Sequence, residues 1–365
     1  VIIQLLIIED LVKRTGKQVP ELFDFIAGTS AGAGNAALYA ARTPDGKHLY
    51  TADEFVEVIL QQYRESHIPT WHLIKTLYGL IGPRYSTDLY RKRTQKIFKD
   101  TTLCNASPPL VIPVCNAITH ETIILTTANA KKDPSQNFKL SDVVGAAMAF
   151  PGVIEPIRMK TQSGETVAAY DSGGLHYNPA LLSLSEARNM LKEEEKEFRS
   201  SQLEKIHLVT LNSSLTKEEK EIQISNILKE RFIDRINILG LGSGLPEGWR
   251  KPSAVSGKKP AIPQRGLFGN IKLLMMTMFQ SLDSNVQDGV KAAFADGDGN
   301  QKNYHHLEIL LKTQKGKKSP FVVDDTDPYV IGELIRQTKE FMKTQEYLEI
   351  IHTYFGDDLR IRARL

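Results

Sequence analysis

The chain opens on an almost unbroken apolar run. Val1 to Ile8 is interrupted only by Gln4, and Leu11 and Val12 continue the run after Glu9 and Asp10. It has no basic flank and no small-residue cleavage site, so it does not read as a secretory leader. It predicts a helix buried on most of its circumference. A chain that starts inside a helix, without Met or a capping residue, is expected to have lost a segment upstream. Nowhere does an apolar stretch reach the ~18 residues that a membrane-crossing helix needs.

Further on, Leu22 to Ile26 predicts a strand, and Gly34 to Ala41 an alanine-rich helix. Residues 51–68 read as a helix with Thr51 as N-cap and Glu54 three positions on, the reciprocal capping pattern. Leu110 to Ala117 and Thr122 to Thr127 predict two strands around a short turn. Ser141 to Ala149 predicts a short helix of small residues stopped by Pro151. Thr166 to Tyr170 predicts a strand ending in Asp171-Ser172-Gly173-Gly174, and Ile206 to Leu211 predicts another. Beyond a Gly- and Pro-rich stretch at 240–270, read as a long loop, helices are expected at about 267–294 and 328–352. Strands alternating with helices favour an α/β fold with a mostly parallel sheet. The expected organisation is an α/β core over 1–240, a loop over 241–270 and a helical layer over 271–365.

Composition narrows this little. A length of 365 residues allows two domains or one large one, and 41% apolar residues excludes a disordered or fibrous chain. With 46 Lys+Arg against 43 Asp+Glu, the net charge of +3 argues against general nucleic-acid binding. The two cysteines, Cys104 and Cys115, exclude a disulfide scaffold and a Cys-rich zinc site. They form either one bridge or, preferably, two reduced buried thiols.

Candidate chemistry lies at Gly28-Thr29-Ser30-Ala31-Gly32, a G-x-S-x-G match between an apolar strand and a helix of small residues. In that context the pattern predicts a nucleophile elbow, a sharp turn that exposes the serine hydroxyl. Gly28 and Gly32 are expected to be required because backbone crowds such a turn. A serine hydroxyl needs a base. His176, His207 and His305 are the histidine candidates, none in an evident motif. Asp171, closing an apolar strand before Ser172, Gly173 and Gly174, is the better one. Asp296-Gly297-Asp298-Gly299-Asn300 suggests a calcium loop, but Gln301 and Leu307 stand where Gly and Glu belong, so a turn is expected.

Taken together, these blocks resemble the patatin-like phospholipase family, in which a G-x-S-x-G serine and a D-G-G/A aspartate act as a dyad without histidine. The Gly145–Pro156 block is similar to the family's small-residue helix and proline turn. Leu175 to Ala180 resembles the Asn-Pro stretch after the aspartate, and Gln280 to Glu308 the helical tail of the plant-type branch. The resemblance implies a three-layer α/β sandwich with a mostly parallel central sheet and a helical C-terminal layer. Two departures stand out. Ser172 occupies the position after the aspartate where the family usually has Gly. The family's Gly-rich oxyanion loop would fall immediately before Val1, which leaves the Ala31 backbone as the candidate donor here. A polypeptide starting at Val1 is therefore expected to be nearly inactive, since each lost donor lowers turnover roughly 10²–10³-fold.

The resemblance implies a lipid acyl hydrolase of phospholipase A type, with Ser30 as nucleophile, Asp171 as base and no metal or organic cofactor. Its partner would be a phospholipid membrane surface, and its location the cytoplasm, a membrane periphery or, as for some family members, a host cell entered as a bacterial effector. Basic contacts for the bilayer are sought in Arg91, Lys92, Arg93, Lys96 and Lys99, and in Lys312, Lys315, Lys317 and Lys318, each group equally readable as a solvated face. The Met-rich run Leu267–Phe279 would line an acyl pocket, enter the interface or pack in the core, the core reading being preferred. The charged helix expected at about 185–205 offers a surface for an activating protein partner, with a plain solvated helix as the default. The competing readings are a Ser-His-Asp esterase or thioesterase on soluble substrates, and a non-catalytic binding module on the same scaffold.

Overall fold

The opening run forms α1 (Ile2–Thr15), in which every isoleucine and leucine is buried. Gly16, in the left-handed region at φ 70°, ends it by donating its N–H to the Val12 carbonyl. The computed structural model describes residues 1–64, 85–246, 267–296, 299–314, 316–317 and 327–356. The strand expected from Leu22 is shorter than the apolar pattern suggests. A helical turn, α2 (Val19–Leu22), takes its start, with Pro20 in the first turn and Gln18 and Glu21 capping reciprocally. Only Ile26–Ala27 is extended, as β1.

Next come α3 (Ala31–Ala40) and α4 (Ala52–Arg64). The predicted cap of α4 is in place, with the Thr51 N–H and hydroxyl donating to Glu54 Oε2 at 2.7 and 3.0 Å. Residues 65–68 of that predicted helix lie outside the described residues. Then follow α5 (Thr87–Phe98), the hairpin of β2 (Leu110–Asn116) and β3 (Thr122–Thr126), α6 (Thr127–Lys132), α7 (Leu140–Ala147), β4 (Ile157–Lys160) and β5 (Thr166–Asp171). These strands make one sheet in the order β1-β2-β5-β4, with β3 also on β2. Its interior is β2, buried from Leu110 to Cys115. The strands are mixed in direction: β1 runs parallel to β2, while β3 and β5 pair antiparallel with β2, and β4 with β5. The α/β class holds, with parallel pairing at the β1–β2 junction that carries the serine.

After β5 come α8 (Ala180–Met190), α9 (Lys192–Leu211) and α10 (Lys217–Lys229). The strand expected at Ile206–Leu211 is the last turn and a half of α9. Its β-branched residues are helical because the charged segment before them already propagates the helix, and Thr210 returns its hydroxyl to the Ile206 carbonyl at 2.7 Å. Helices α9 and α10 form a hairpin in which neither buries a side chain, and Leu203, Leu208 and Leu211 face solvent.

The stretch expected to be a loop from 240 begins in strands, β6 (Ile238–Leu241) and β7 (Leu245–Pro246); residues 247–266 lie outside the described residues. After α11 (Leu267–Phe294), β8 (Tyr304–Leu307) and β9 (Leu310–Leu311) pair in parallel with β6 and β7. The segment beyond 270 is therefore not purely helical. The single helix expected at 328–352 is two, α12 (Pro328–Phe341) and α13 (Gln345–Phe355), because Thr344 caps a new start at the Tyr347 N–H.

The main core gathers α1, α3, α7 and β2, and a smaller one joins α8, β6, α11 and β8 around Phe294 and Tyr304. Cys104 is half-buried and Cys115 buried, and both are free. Asp296 and Asn300 bond to each other, with Gly299 at φ 81°; Gly297 and Asp298 of the expected turn lie outside the described residues. Among the described residues no helix is long and apolar enough to cross a membrane.

Candidate active site

Ser30 sits between β1 and α3 with its backbone at φ 54°, ψ −127°, a region that a side-chain-bearing residue occupies only under strain. The surrounding hydrogen bonds hold it there. The Gly28 N–H donates to the Val111 carbonyl at 3.1 Å, and the Gly32 and Ala33 N–H groups donate to the Thr29 and Ser30 carbonyls, both at 2.9 Å. A Cβ on Gly28 would lie 2.4 Å from the Gly32 carbonyl oxygen, so no other residue fits. Gly32 does not share that constraint: a Cβ there would meet nothing within 4 Å. The crowding expected at both glycines exists at Gly28 alone.

Asp171 ends β5, in register with Val114 of the central strand. Its N–H donates to the Ala149 carbonyl at 3.1 Å, which ties it to the end of α7. Ser30 Oγ donates to Asp171 Oδ2 at 2.6 Å, and the Gly173 N–H donates to Oδ1 at 2.7 Å. The residue is 3% exposed. Burial pushes its pKa above the ordinary Asp value, opposed by the hydrogen bonds from Ser30 and Gly173.

The residues around the aspartate differ in what they contribute. Ser172 is buried and donates its hydroxyl to the Pro113 carbonyl at 2.9 Å, so a side chain where glycine is usual has its own place in the core. A Cβ on Gly173 would lie 3.1 Å from Asp171 Oδ1 and 3.9 Å from the Ser30 Cβ, whereas one on Gly174 would meet nothing within 4 Å. Ala31 opens α3 directly after Ser30. First-turn N–H groups of a helix have no intrahelical acceptor, and the helix dipole is positive at that end. That end of α3 therefore favours negative charge placed close to Ser30.

The histidines are engaged elsewhere. His176 Nε2 meets the Thr122 hydroxyl at 3.0 Å, His305 Nδ1 meets the Tyr354 hydroxyl at 3.0 Å, and His207 is exposed on α9. Arg91, Lys92, Lys96 and Lys99 are exposed on or just after α5, where Arg91 faces Asp142 at 3.9 Å, and Arg93 is half-exposed. Lys312 and Lys317 are exposed; Lys315 and Lys318 lie outside the described residues. So do the side chains from Leu267 to Thr277, while Met278 is exposed and Phe279 half-buried. Phe279 stacks on Tyr177 with ring centroids 5.0 Å apart and meets Phe150 edge-on at 6.3 Å. Phe150 and Tyr177 have no assigned role in the sequence, although each lies inside a block that carries the family resemblance. Among the described residues no three His, Cys, Asp or Glu side chains converge as a metal site would require.

A serine hydroxyl aimed at a buried carboxylate is an arrangement for removing the serine proton as oxygen attacks an electrophile. Against this geometry, a family model described as Patatin-like phospholipase matches residues 2–184, a span that holds both Ser30 and Asp171. Patatin-like protein 4 of Arabidopsis thaliana is 25% identical over 208 residues, covering 56% of this chain and 52% of that protein. Patatin-like protein 2 of the same plant is 25% identical over 199 residues, covering 52% of this chain and 49% of that protein. Probable inactive patatin-like protein 9, also of Arabidopsis thaliana, is 26% identical over 164 residues, covering 44% and 42%. The chain spans about half the length of the curated relatives it matches.

Proposed function

The chain belongs to the patatin-like phospholipase family, whose members are in general lipid acyl hydrolases, and from that membership we propose that it cleaves fatty-acyl esters of glycerophospholipids through Ser30 and Asp171. The observation that carries this reading is the 2.6 Å hydrogen bond from Ser30 Oγ to a carboxylate almost wholly withdrawn from water. In the first half-reaction Ser30 Oγ bonds to the ester carbonyl carbon while its proton passes to Asp171 Oδ2. The Ala31 N–H, at the positive end of α3, faces the negative charge that develops on the carbonyl oxygen. Collapse breaks the bond to the leaving alcohol, which takes the proton from Asp171 and departs, leaving an acyl-serine. In the second half-reaction water loses a proton to Asp171 and attacks the acyl carbon. The proton then returns to Ser30 Oγ as the fatty acid leaves.

An exposed aspartate, with a pKa of ~3.9, is a weak base at neutral pH. Burial of Asp171 raises its proton affinity, which favours the transfer from serine. His176 and His305 bond to Thr122 and Tyr354, while the Ser30 hydroxyl donates to Asp171, which favours the dyad over a Ser-His-Asp arrangement. The reading includes a phospholipid surface as partner and leaves a place for an activating protein.

The test is fatty-acid release from mixed phospholipid liposomes by the full-length protein, with Ser30→Ala and Asp171→Asn alongside, in the presence and absence of eukaryotic lysate. Release abolished by both substitutions is the expected result, and dependence on lysate would identify an activator. No release in either condition, with Ser30 unlabelled by a fluorophosphonate probe, would replace this reading with that of a binding module.

A further inference from the structure

Three aromatic side chains from three separate segments meet at Phe279 without being fully buried, and two of those segments adjoin Asp171 along the chain. Phe150 follows directly on Ala149, whose carbonyl holds the Asp171 N–H. Tyr177 comes just after the turn that begins at Ser172, where the Leu175 and His176 N–H groups both return to the Ser172 carbonyl at 2.8 Å. Phe279 reaches them from α11. Tyr177 remains 38% exposed, and Phe150 and Phe279 are half-buried. Leu175 at 56% and Met278 at 43% extend the apolar surface outward from the same two segments. A contiguous apolar face turned to water marks a binding surface more often than a packing accident.

The cluster is held in shape by polar contacts behind it. Asp283, one turn after Phe279, accepts from Asn178 at 2.8 Å and from Gln287 at 2.7 Å. Asn178 is the neighbour of Tyr177, so this bond fixes α11 against the aspartate turn at the point where the rings stack. A further hydrogen bond joins the Tyr177 side chain to Ser243, after β6. A surface fixed in advance loses little conformational freedom when a ligand settles on it.

We propose that Phe150, Tyr177 and Phe279 form the seat of the substrate's acyl chain and set the enzyme's preference for long chains, an inference that rests on the hydrolase reading above. An ester presented to Ser30 carries a flexible apolar tail that must leave water. The aromatic face, carried by the segments on either side of the Asp171 turn, gives that tail an apolar partner.

The test is a series of p-nitrophenyl esters from acetate to palmitate, hydrolysed by the full-length protein and by Phe279→Ala and Phe279→Leu. For Phe279→Ala, kcat/KM is expected to fall by roughly tenfold or more on long chains and by progressively less as the chain shortens, with Phe279→Leu partly restoring the long-chain rate. An equal loss at every chain length would overturn the proposal. A second measurement does not need turnover: binding of the fluorescent fatty acid cis-parinaric acid to Ser30→Ala and to Ser30→Ala/Phe279→Ala. Affinity weakened by roughly tenfold in the double variant supports the subsite even if no ester is cleaved, an outcome that would count against the hydrolase reading alone. Equal affinity in the two proteins, or no binding to either, would overturn the subsite.

Discussion

Gly28 and Gly32 stand symmetrically about Ser30 in sequence and asymmetrically in space. The Gly32 carbonyl oxygen lies 2.4 Å from where a Cβ of Gly28 would be, and nothing lies within 4 Å of a Cβ on Gly32. The clash is with backbone, which cannot rotate aside. Gly28→Ala is expected to destabilise the protein by ~3 kcal/mol or more and to abolish fluorophosphonate labelling of Ser30. Gly32→Ala is expected to shift stability by less than ~1 kcal/mol and to keep the label. Urea denaturation and a labelling gel on both variants check the pair.

Asp171 links activity and stability to pH in opposite senses. The base role proposed for it requires the ionised form, and burial favours the neutral form. The acid limb of kcat/KM is therefore expected above the ~3.9 of an exposed aspartate, with activity falling as pH drops through the raised value. Asp171→Asn should lower kcat by ~10²–10⁴ and remove that limb.

For stability the sign reverses. A folded-state pKa above the unfolded one gives a contribution that is full below the unfolded value and lost as pH rises through the folded one. At about pH 7 the ionised Asp171 thus weakens the fold. Asp171→Asn is expected to raise Tm near neutrality, with the gain shrinking toward about pH 4. Thermal melts of the two proteins across pH measure it, and a variant less stable at every pH would contradict it.

Ser172 donates to the carbonyl of Pro113, inside the central strand. Ser172→Ala leaves that buried acceptor unpaired and is expected to cost about 1–3 kcal/mol in urea denaturation. Its effect on the dyad should be smaller than its effect on stability, because the Gly173 N–H still holds Asp171 Oδ1.

The α9–α10 hairpin buries no side chain, and Leu208 and Leu211 are more than half exposed. Its opening is opposed by few apolar contacts. Its amides are expected to exchange hydrogen orders of magnitude faster than those of β2, as mass spectrometry would resolve. Leu208→Lys and Leu211→Lys should each change stability by less than ~0.5 kcal/mol.

What could be read in the sequence was what local chemistry decides. The elbow at Ser30 needs a strand, a turn and a helix within a few residues, and the pattern shows all three. Asp171 announced itself by closing an apolar strand before two glycines. Their meeting across 141 positions depends on β5 pairing with β2, which periodicity does not encode. The Gly-rich stretch after 240 misled for a physical reason. Gly240 and Gly242 lie where a Cβ would come within 2.5 Å of His306 Nδ1 and 2.2 Å of Glu308 Oε2, so these glycines admit a neighbouring strand's side chains. Glycine there marks close packing, and only the position of the other strand reveals it. At Ile206–Leu211 the error ran the other way, since β-branched residues suit a strand that has no neighbour to pair with.

The hairpin of α9 and α10 follows the span of the family match, which runs from residue 2 to 184, and none of its side chains enters the packing that holds Ser30 against Asp171. The hairpin's charge, length and leucines can therefore be altered without disturbing the Ser30–Asp171 contact, so it is a segment on which a tag or a fused domain should be tolerated.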